Sequence, residues 1–238
     1  MRGKIVANHA RRKGDDVKAM PKDTGYRWVW TGKSGNTAGK PKRARSSTGP
    51  SWLYELEVTL LDSEPAIWRR FTVPSTLQLT QLHEALLAVM GWHGTHVFEF
   101  IVDGTHYSDP DMDDQGEMSD AAGIRLNDAL TRGDGVLQYI YDWGDYWQHV
   151  LKRIDFRPRK SGEAVAKILD GARACPPEDV GGIGGYRDFL TAVTNPDHPE
   201  HQESLEWVGG PWNAEHFDRA EAQRRLTAAA RRGRWASS

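Results

Sequence analysis

The sequence predicts an α+β fold, with helices packed on a mainly antiparallel sheet, and three observations carry that reading. Tyr54, Leu56, Val58 and Leu60 alternate with Glu55, Glu57 and Thr59, the period-two pattern of a strand with one buried face. Leu82, Leu86, Val89 and Met90 follow helical spacing instead. Strand-like and helix-like segments do not alternate along the chain, which argues against a doubly wound parallel sheet.

The elements follow in order. The first strand leads through Asp62, Ser63, Glu64 and Pro65 into a second, Ile67 to Val73, close enough to form a hairpin; Pro74 lacks a donor and ends the ladder. Thr80 is the expected cap of a helix that Gly91 stops. Val97 to Val102 is a strand, turned by Asp103-Gly104 into His106-Tyr107. Residues 108–123 read as an acidic loop. Val136 to Tyr141 and Tyr146 to Phe156 form a strand pair around Asp142-Trp143-Gly144-Asp145. Lys160 to Asp170 reads as loop with a helical turn, and Tyr186 to Val193 as a short helix. Asn213 is the expected cap of a last helix reaching about Arg232, with Phe217, Ala220 and Leu226 on its apolar side.

Composition sets the class. The chain has 238 residues, 38% of them hydrophobic, with ten Trp and one Cys. That supports a real core and one domain with a tail. No run approaches the roughly 20 apolar residues of a membrane span. No apolar stretch follows the early basic residues, and Arg11-Arg12 runs into Lys13-Gly14-Asp15-Asp16, so neither a secretory nor a twin-arginine signal is expected. A lone cysteine makes no internal disulfide and no cysteine-paired zinc site. The expectation is a soluble cytoplasmic protein with no membrane partner and no cofactor.

Charge is segregated. Residues 1–50 hold 13 basic and 3 acidic residues, residues 51–218 hold 12 and 29, and residues 219–238 hold 6 and 1. An acidic body therefore separates two basic ends. Residues 1–50 read as a largely disordered, low-complexity tail in which Lys40, Lys42, Arg43 and Arg45 are candidate nucleic-acid contacts, sensitive to salt. A solvated leader that binds its own acidic body is the alternative. Tyr26-Arg27-Trp28-Val29-Trp30 suits docking as a strand or stacking on bases, docking being favoured. Residues 233–238 read as a flexible C-terminus.

Three separated blocks together resemble one known family. The first is Pro65-Ala66-Ile67-Trp68-Arg69-Arg70, with the Leu82-His83 helix and Gly91-Trp92. The second is Tyr139-Ile140-Tyr141-Asp142-Trp143-Gly144-Asp145-Tyr146-Trp147-Gln148-His149. The third runs from Gly171 through Cys175-Pro176-Pro177-Glu178-Asp179-Val180-Gly181-Gly182 to Gly185-Tyr186 and Phe189-Leu190. In set and order they are similar to the Ri-plasmid ORF-three-like family, over residues 51–228. The resemblance implies an α+β domain, here spanning 51–232, of the kind found in plasmid and chromosomal proteins. Trp143 stands where the family usually has Phe, which keeps an aromatic ring. Some members carry names linked to insertion elements or resolvases. Serine-recombinase chemistry is rejected for this chain, because Ser34, Ser46 and Ser47 lie in Gly/Lys-rich surroundings with nothing to activate them.

The candidate chemistry lies in the second and third blocks. Asp142 and Asp145 sit at a turn from which they reach either His149, as an acid/base or metal-ligating pair, or the backbone amides of the turn, which is favoured. Tyr141, Trp143 and Trp147 are candidate ligand contacts. Cys175, Glu178 and Asp179 lie on a proline-stiffened loop that reads as a substrate loop with a nucleophilic thiol or, more commonly, as a self-bonded Ω-like loop. Arg69 and Arg70 face opposite ways, and one emerges on the sheet face toward an anionic ligand or, alternatively, an ion pair forms with the carboxylates of the third block. His93, His96 and His106 form a loose cluster without metal-site spacing, and Asp109-Pro110-Asp111-Met112-Asp113-Asp114 departs from a calcium loop where Asp114 replaces Gly, so no metal is expected.

Two functions remain. A binding or accessory module of plasmid or mobile-element type would use the basic tail, or a groove beneath the two motif loops. A hydrolase would gather Asp142, Asp145, His149, Cys175, Glu178 and Asp179 around one pocket, through a metal or the thiol. The binding module is preferred, since no nucleophile, base and oxyanion set can be assembled from spacing.

Overall fold

The computed structural model describes residues 52–112 and 116–235. The readings of residues 1–50, of Asp113 and Asp114, and of residues 236–238 fall outside these.

The chain is α+β, as its patterning requires. Strands β1 (Trp52–Leu60) and β2 (Ile67–Pro74) pair antiparallel, with Leu60 opposite Ile67 and Glu57 opposite Arg70. Ser63 closes the hairpin: its hydroxyl donates to the Leu60 carbonyl (2.8 Å) and accepts from the Ile67 amide (3.0 Å). Leu56, Val58, Leu60, Ile67, Phe71 and Val73 are all buried on the inner face.

Helix α1 (Leu79–Met90) begins two residues earlier than the Thr80 cap suggests. Gln78 is the cap, its backbone amide donating to the Gln81 side chain (3.0 Å), and Thr80 sits within the first turn. Gly91, with φ +101°, ends the helix and returns its amide to the Leu87 carbonyl. A left-handed residue here favours glycine, which has no Cβ to collide.

Strands β3 (Phe98–Val102) and β4 (Thr105–Ser108) form the expected hairpin, with Asp103 and Gly104 both at positive φ. The acidic loop that follows carries more structure than its composition suggests. It has one helical turn at Pro110–Met112, a two-residue strand β5 (Ser119–Asp120) parallel to β4, and a second turn at Ala121–Gly123. Helix α2 (Leu126–Arg132) has only seven residues, too few for a periodic signal.

Strands β6 (Val136–Tyr141) and β7 (Trp147–Pro158) match the sequence reading. Residues read as loop include part of β8 (Lys167–Ala172), an edge strand on β2 in which Ile168 alone is fully buried, so alternation is absent. Helices α3 (Gly182–Thr194), α4 (His201–Val208) and α5 (Arg219–Arg232) complete the chain. The cap of α5 is Asp218, which accepts from the Glu221 amide (2.8 Å); Asn213 instead closes a turn on Glu215.

The sheet order is β5-β4-β3-β6-β7-β1-β2-β8, and every pairing but β4 with β5 is antiparallel. Helices α1 and α5 pack against each other, and α5 also lies on β8. The opposite side of β1 and β2 shows Glu55, Glu57 and Arg70 to solvent, with Arg70 donating to Glu57 (2.6 Å).

Candidate functional site: a cleft and a carboxylate–imidazole cluster

The second and third sequence blocks meet in space. Strand β6 delivers Tyr141, whose hydroxyl donates to Glu178 Oε1 (2.6 Å); Glu178 Oε2 accepts from the His93 amide (3.0 Å). Asp145 reaches across in the other direction and accepts from the Gly181 amide (3.2 Å). Gly182 follows at φ +68°, where an added Cβ would collide with the Asp145 carbonyl. The turn after α1 joins the same junction, because the Trp92 indole donates to the Pro176 carbonyl (3.0 Å).

Asp142 adopts positive φ at the end of β6 and bonds its own turn. Its Oδ1 accepts from the amides of Gly144 (2.8 Å) and Asp145 (3.4 Å). This is the backbone-capping alternative for the turn carboxylates. Strand alternation carries His149 inward instead. It is buried, with Nδ1 3.3 Å from the Tyr139 carbonyl, and the Trp92 ring stands edge-on to it at 5.3 Å. Burial pulls its pKa down to about 4, so near neutral pH it is an uncharged core imidazole.

The imidazole that does meet Asp142 is His96. Nδ1 lies 3.4 Å from Asp142 Oδ2, and Nε2 lies 3.2 Å from Asp179 Oδ1. One donor atom from each of the three residues falls within 4.8 Å of the others. Of the expected loose histidine cluster, His96 alone enters this group; His106 pairs with Glu99, and His93 contributes its backbone to Glu178. Sequence spacing pointed to His149 because it shares a block with Asp142. The partnership with His96 arises through the pairing of β3 with β6, in which the Asp142 amide bonds the Val97 carbonyl.

Cys175 packs against the core, and burial pushes its thiol up to about 12 although the Arg69 guanidinium pulls the other way. It is a protonated thiol at neutral pH, without the activation that a nucleophile needs. Arg69 is buried too. Its guanidinium donates to the carbonyls of Trp68 (2.8 Å), Val89 (3.0 Å), Ala172 (2.6 Å) and Arg173 (2.8 Å) and lies 4.0 Å over the Phe217 ring. It therefore meets the third block through its carbonyls, while Arg70 faces outward on Glu57. Trp147 is fully buried beside Trp92, and Trp143 is exposed.

Beside this junction lies a cleft of about 590 Å³, between the C-terminal end of α1, the Cys175–Asp179 loop, α5 and the end of α4. Arg69 and Cys175 contribute to its lining; Trp92, Trp207, Trp212 and Phe217 give aromatic surface, and Glu178, Asp179, Asp218 and Glu221 give four carboxylates. Arg225 also lines it but donates to the carbonyls of Gly91 and Trp92, which leaves its charge tied to the wall. Trp207, Trp212 and Arg225 carried no motif signal in the sequence. They come from segments far from the second block, and only folding makes them neighbours.

The comparisons agree with this architecture. Residues 53–221 match the family described as plasmid pRiA4b ORF-3-like protein, and the chain belongs to that family. The uncharacterised protein y4hQ of Sinorhizobium fredii (strain NBRC 101917 / NGR234) is 39% identical over 158 residues, which is 66% of this chain and 81% of that protein. The crystal structure of a protein of unknown function from Methanosarcina mazei Go1 is similar with a TM-score of 0.66 at 30% identity, covering 74% of this chain and 98% of that one. Among the described residues, no helix is long and apolar enough to cross a membrane.

Proposed function

We propose that the chain is a binding module whose cleft takes a small organic cation with an aromatic or apolar body. The observation that carries this reading is the lining of the 590 Å³ cleft. Its size falls within the ~300–1,000 Å³ typical of ligand pockets. Its indole rings offer stacking and cation–π surface. Its four carboxylates face two arginines whose donors are already committed to backbone carbonyls. Even with Glu221 paired to Arg224 and Glu178 accepting from Tyr141, carboxylates outnumber arginines in the lining, which disfavours an anion and favours a cation.

Lys40, Lys42, Arg43 and Arg45 would supply a separate contact to nucleic acid, supported by the +10 net charge of residues 1–50 beside an acidic body. A hydrolytic role draws less support, since Cys175 is held as a thiol and His149 as a buried neutral ring.

Titration of the full chain with tryptamine and with its carboxylate counterpart indole-3-acetate, followed by tryptophan fluorescence, tests the cleft. Saturable binding of tryptamine, at least tenfold tighter than the acid and weakened by Trp207→Ala, is expected. Equal or reversed preference would overturn the reading. For the tail, replacing Lys40, Lys42, Arg43 and Arg45 with Ser should weaken single-stranded DNA binding in anisotropy titrations and lower its salt slope by up to about 3. An unchanged slope would remove the role.

A further inference from the structure

We infer that His96, Asp142 and Asp179 form a binding site for a divalent first-row transition metal, at the rim of the cleft but independent of what the cleft binds. The argument starts from proton counting. A neutral imidazole carries one N–H, yet both His96 nitrogens face a carboxylate oxygen, at 3.4 Å and 3.2 Å. One of the two contacts is then lone pair against lone pair. Nε2 is shut off from solvent and has no hydrogen-bond partner, although Asp179 Oδ1 lies 3.2 Å away. A cation between nitrogen and oxygen removes that conflict.

The spacing suits a metal. Ligand atoms about 2.0–2.2 Å from a shared ion lie roughly 3–3.5 Å apart; the separation of His96 Nε2 from Asp179 falls in that range, and one donor atom from each of the three residues lies within 4.8 Å of the others. The ligand types fit as well. An imidazole and a carboxylate as ligands, with the second carboxylate orienting the ring, suit Mn²⁺ or Zn²⁺ better than Ca²⁺, which prefers an all-oxygen shell.

The site is also built rather than incidental. Asp142 is nine-tenths buried and held at Oδ1 by two turn amides, which leaves Oδ2 toward His96. The His96 ring is held edge-on by Tyr141 at 5.8 Å. Asp179 is 71% exposed in its side chain, so the side it occupies is open to water or to a further ligand. Where one imidazole nitrogen takes the metal, the other would donate to the remaining carboxylate, the usual way in which a ligating ring is oriented.

The test is calorimetric titration of the chelator-treated full chain with Zn²⁺, Mn²⁺ and Ca²⁺ separately. One equivalent of Zn²⁺ or Mn²⁺ is expected to bind, at least tenfold tighter than Ca²⁺. His96→Gln and Asp179→Asn should each weaken it tenfold or more, while His198→Gln binds as the parent does. A measurement on the unaltered chain covers any variant that fails to fold: substoichiometric Mn²⁺ should broaden the NMR signals of His96 and of residues 142–145 and 178–181 before others. Absence of Zn²⁺ and Mn²⁺ binding, binding unaffected by both substitutions, or broadening centred elsewhere would overturn the proposal.

Discussion

Tyr141 shows how much one atom decides in this protein. Its ring lies in the core, stacked on Trp92 at 4.9 Å, while its hydroxyl holds Glu178 across the junction of the two blocks. Burial and the neighbouring carboxylate push the phenol well above its ordinary pKa of 10, so it remains a donor. Hydrogen bonds to charged groups contribute about 1.5–3 kcal/mol. Tyr141→Phe keeps the packing and removes the bond, and should lower unfolding free energy by that amount in urea titration. A loss below about 0.5 kcal/mol would mean that Glu178 is held equally well by the His93 amide alone. The chemistry of this residue was partly legible: a Tyr just before an Asp-x-Gly-Asp turn marks a site, but not which carboxylate it will meet.

At the scale of elements, the junction depends on close approach as much as on bonds. Gly182 begins α3 at φ +68° with the Asp145 carbonyl against the place where a Cβ would stand. Gly182→Ala therefore incurs both backbone strain and a backbone clash, expected to cost about 2–4 kcal/mol by thermal or urea unfolding. The Asp145-to-Gly181 bond should open with it.

Helix α4 is the opposite case. It has no buried residue, and its contact with α3 includes Trp207 edge-on to Phe189 at 5.8 Å. Few buried apolar contacts mean low local stability. Its amides should exchange with deuterium at least a hundredfold faster than those of β1 and β7, and protection there should rise when a ligand fills the cleft. Equal protection would show that α4 is part of the rigid body. The sequence made β1, β2, β6 and β7 plain because each has a buried face and clear punctuation. It hid β8 and α4 because neither has a full apolar face, and α2 because seven residues hold too few turns.

For the molecule as a whole, buried histidines set the response to acid. His83 lies in the core against Phe98, with Nδ1 2.8 Å from the Tyr139 hydroxyl, and burial pulls its pKa to about 3; His149 falls to about 4 for the same reason. Both values lie below the ordinary 6.5 that they regain on unfolding. Between about pH 4 and 6.5 the unfolded chain therefore binds more protons, and stability must fall as pH falls. The expected loss is on the order of a few kcal/mol, beginning near pH 6.5 before carboxylates titrate. Urea midpoints measured from pH 7.5 to 5 check it. His149→Gln should flatten the slope even where it lowers the absolute stability; an unchanged slope would assign the acid sensitivity elsewhere.

By itself the sequence determined the class of fold and the two blocks around which the site is built. Period-two alternation, a glycine-stopped helix and an Asp-Gly hairpin are local properties, written within a few residues of where they act. Only the tertiary structure decided which imidazole faces Asp142, that Arg69 donates hydrogen bonds to four carbonyls, and that tryptophans from the C-terminal segments wall a cleft with the Cys175 loop. Those outcomes depend on strand order and on how helices cross the sheet. They join residues tens of positions apart, whose separation along the chain carries no trace of the contact.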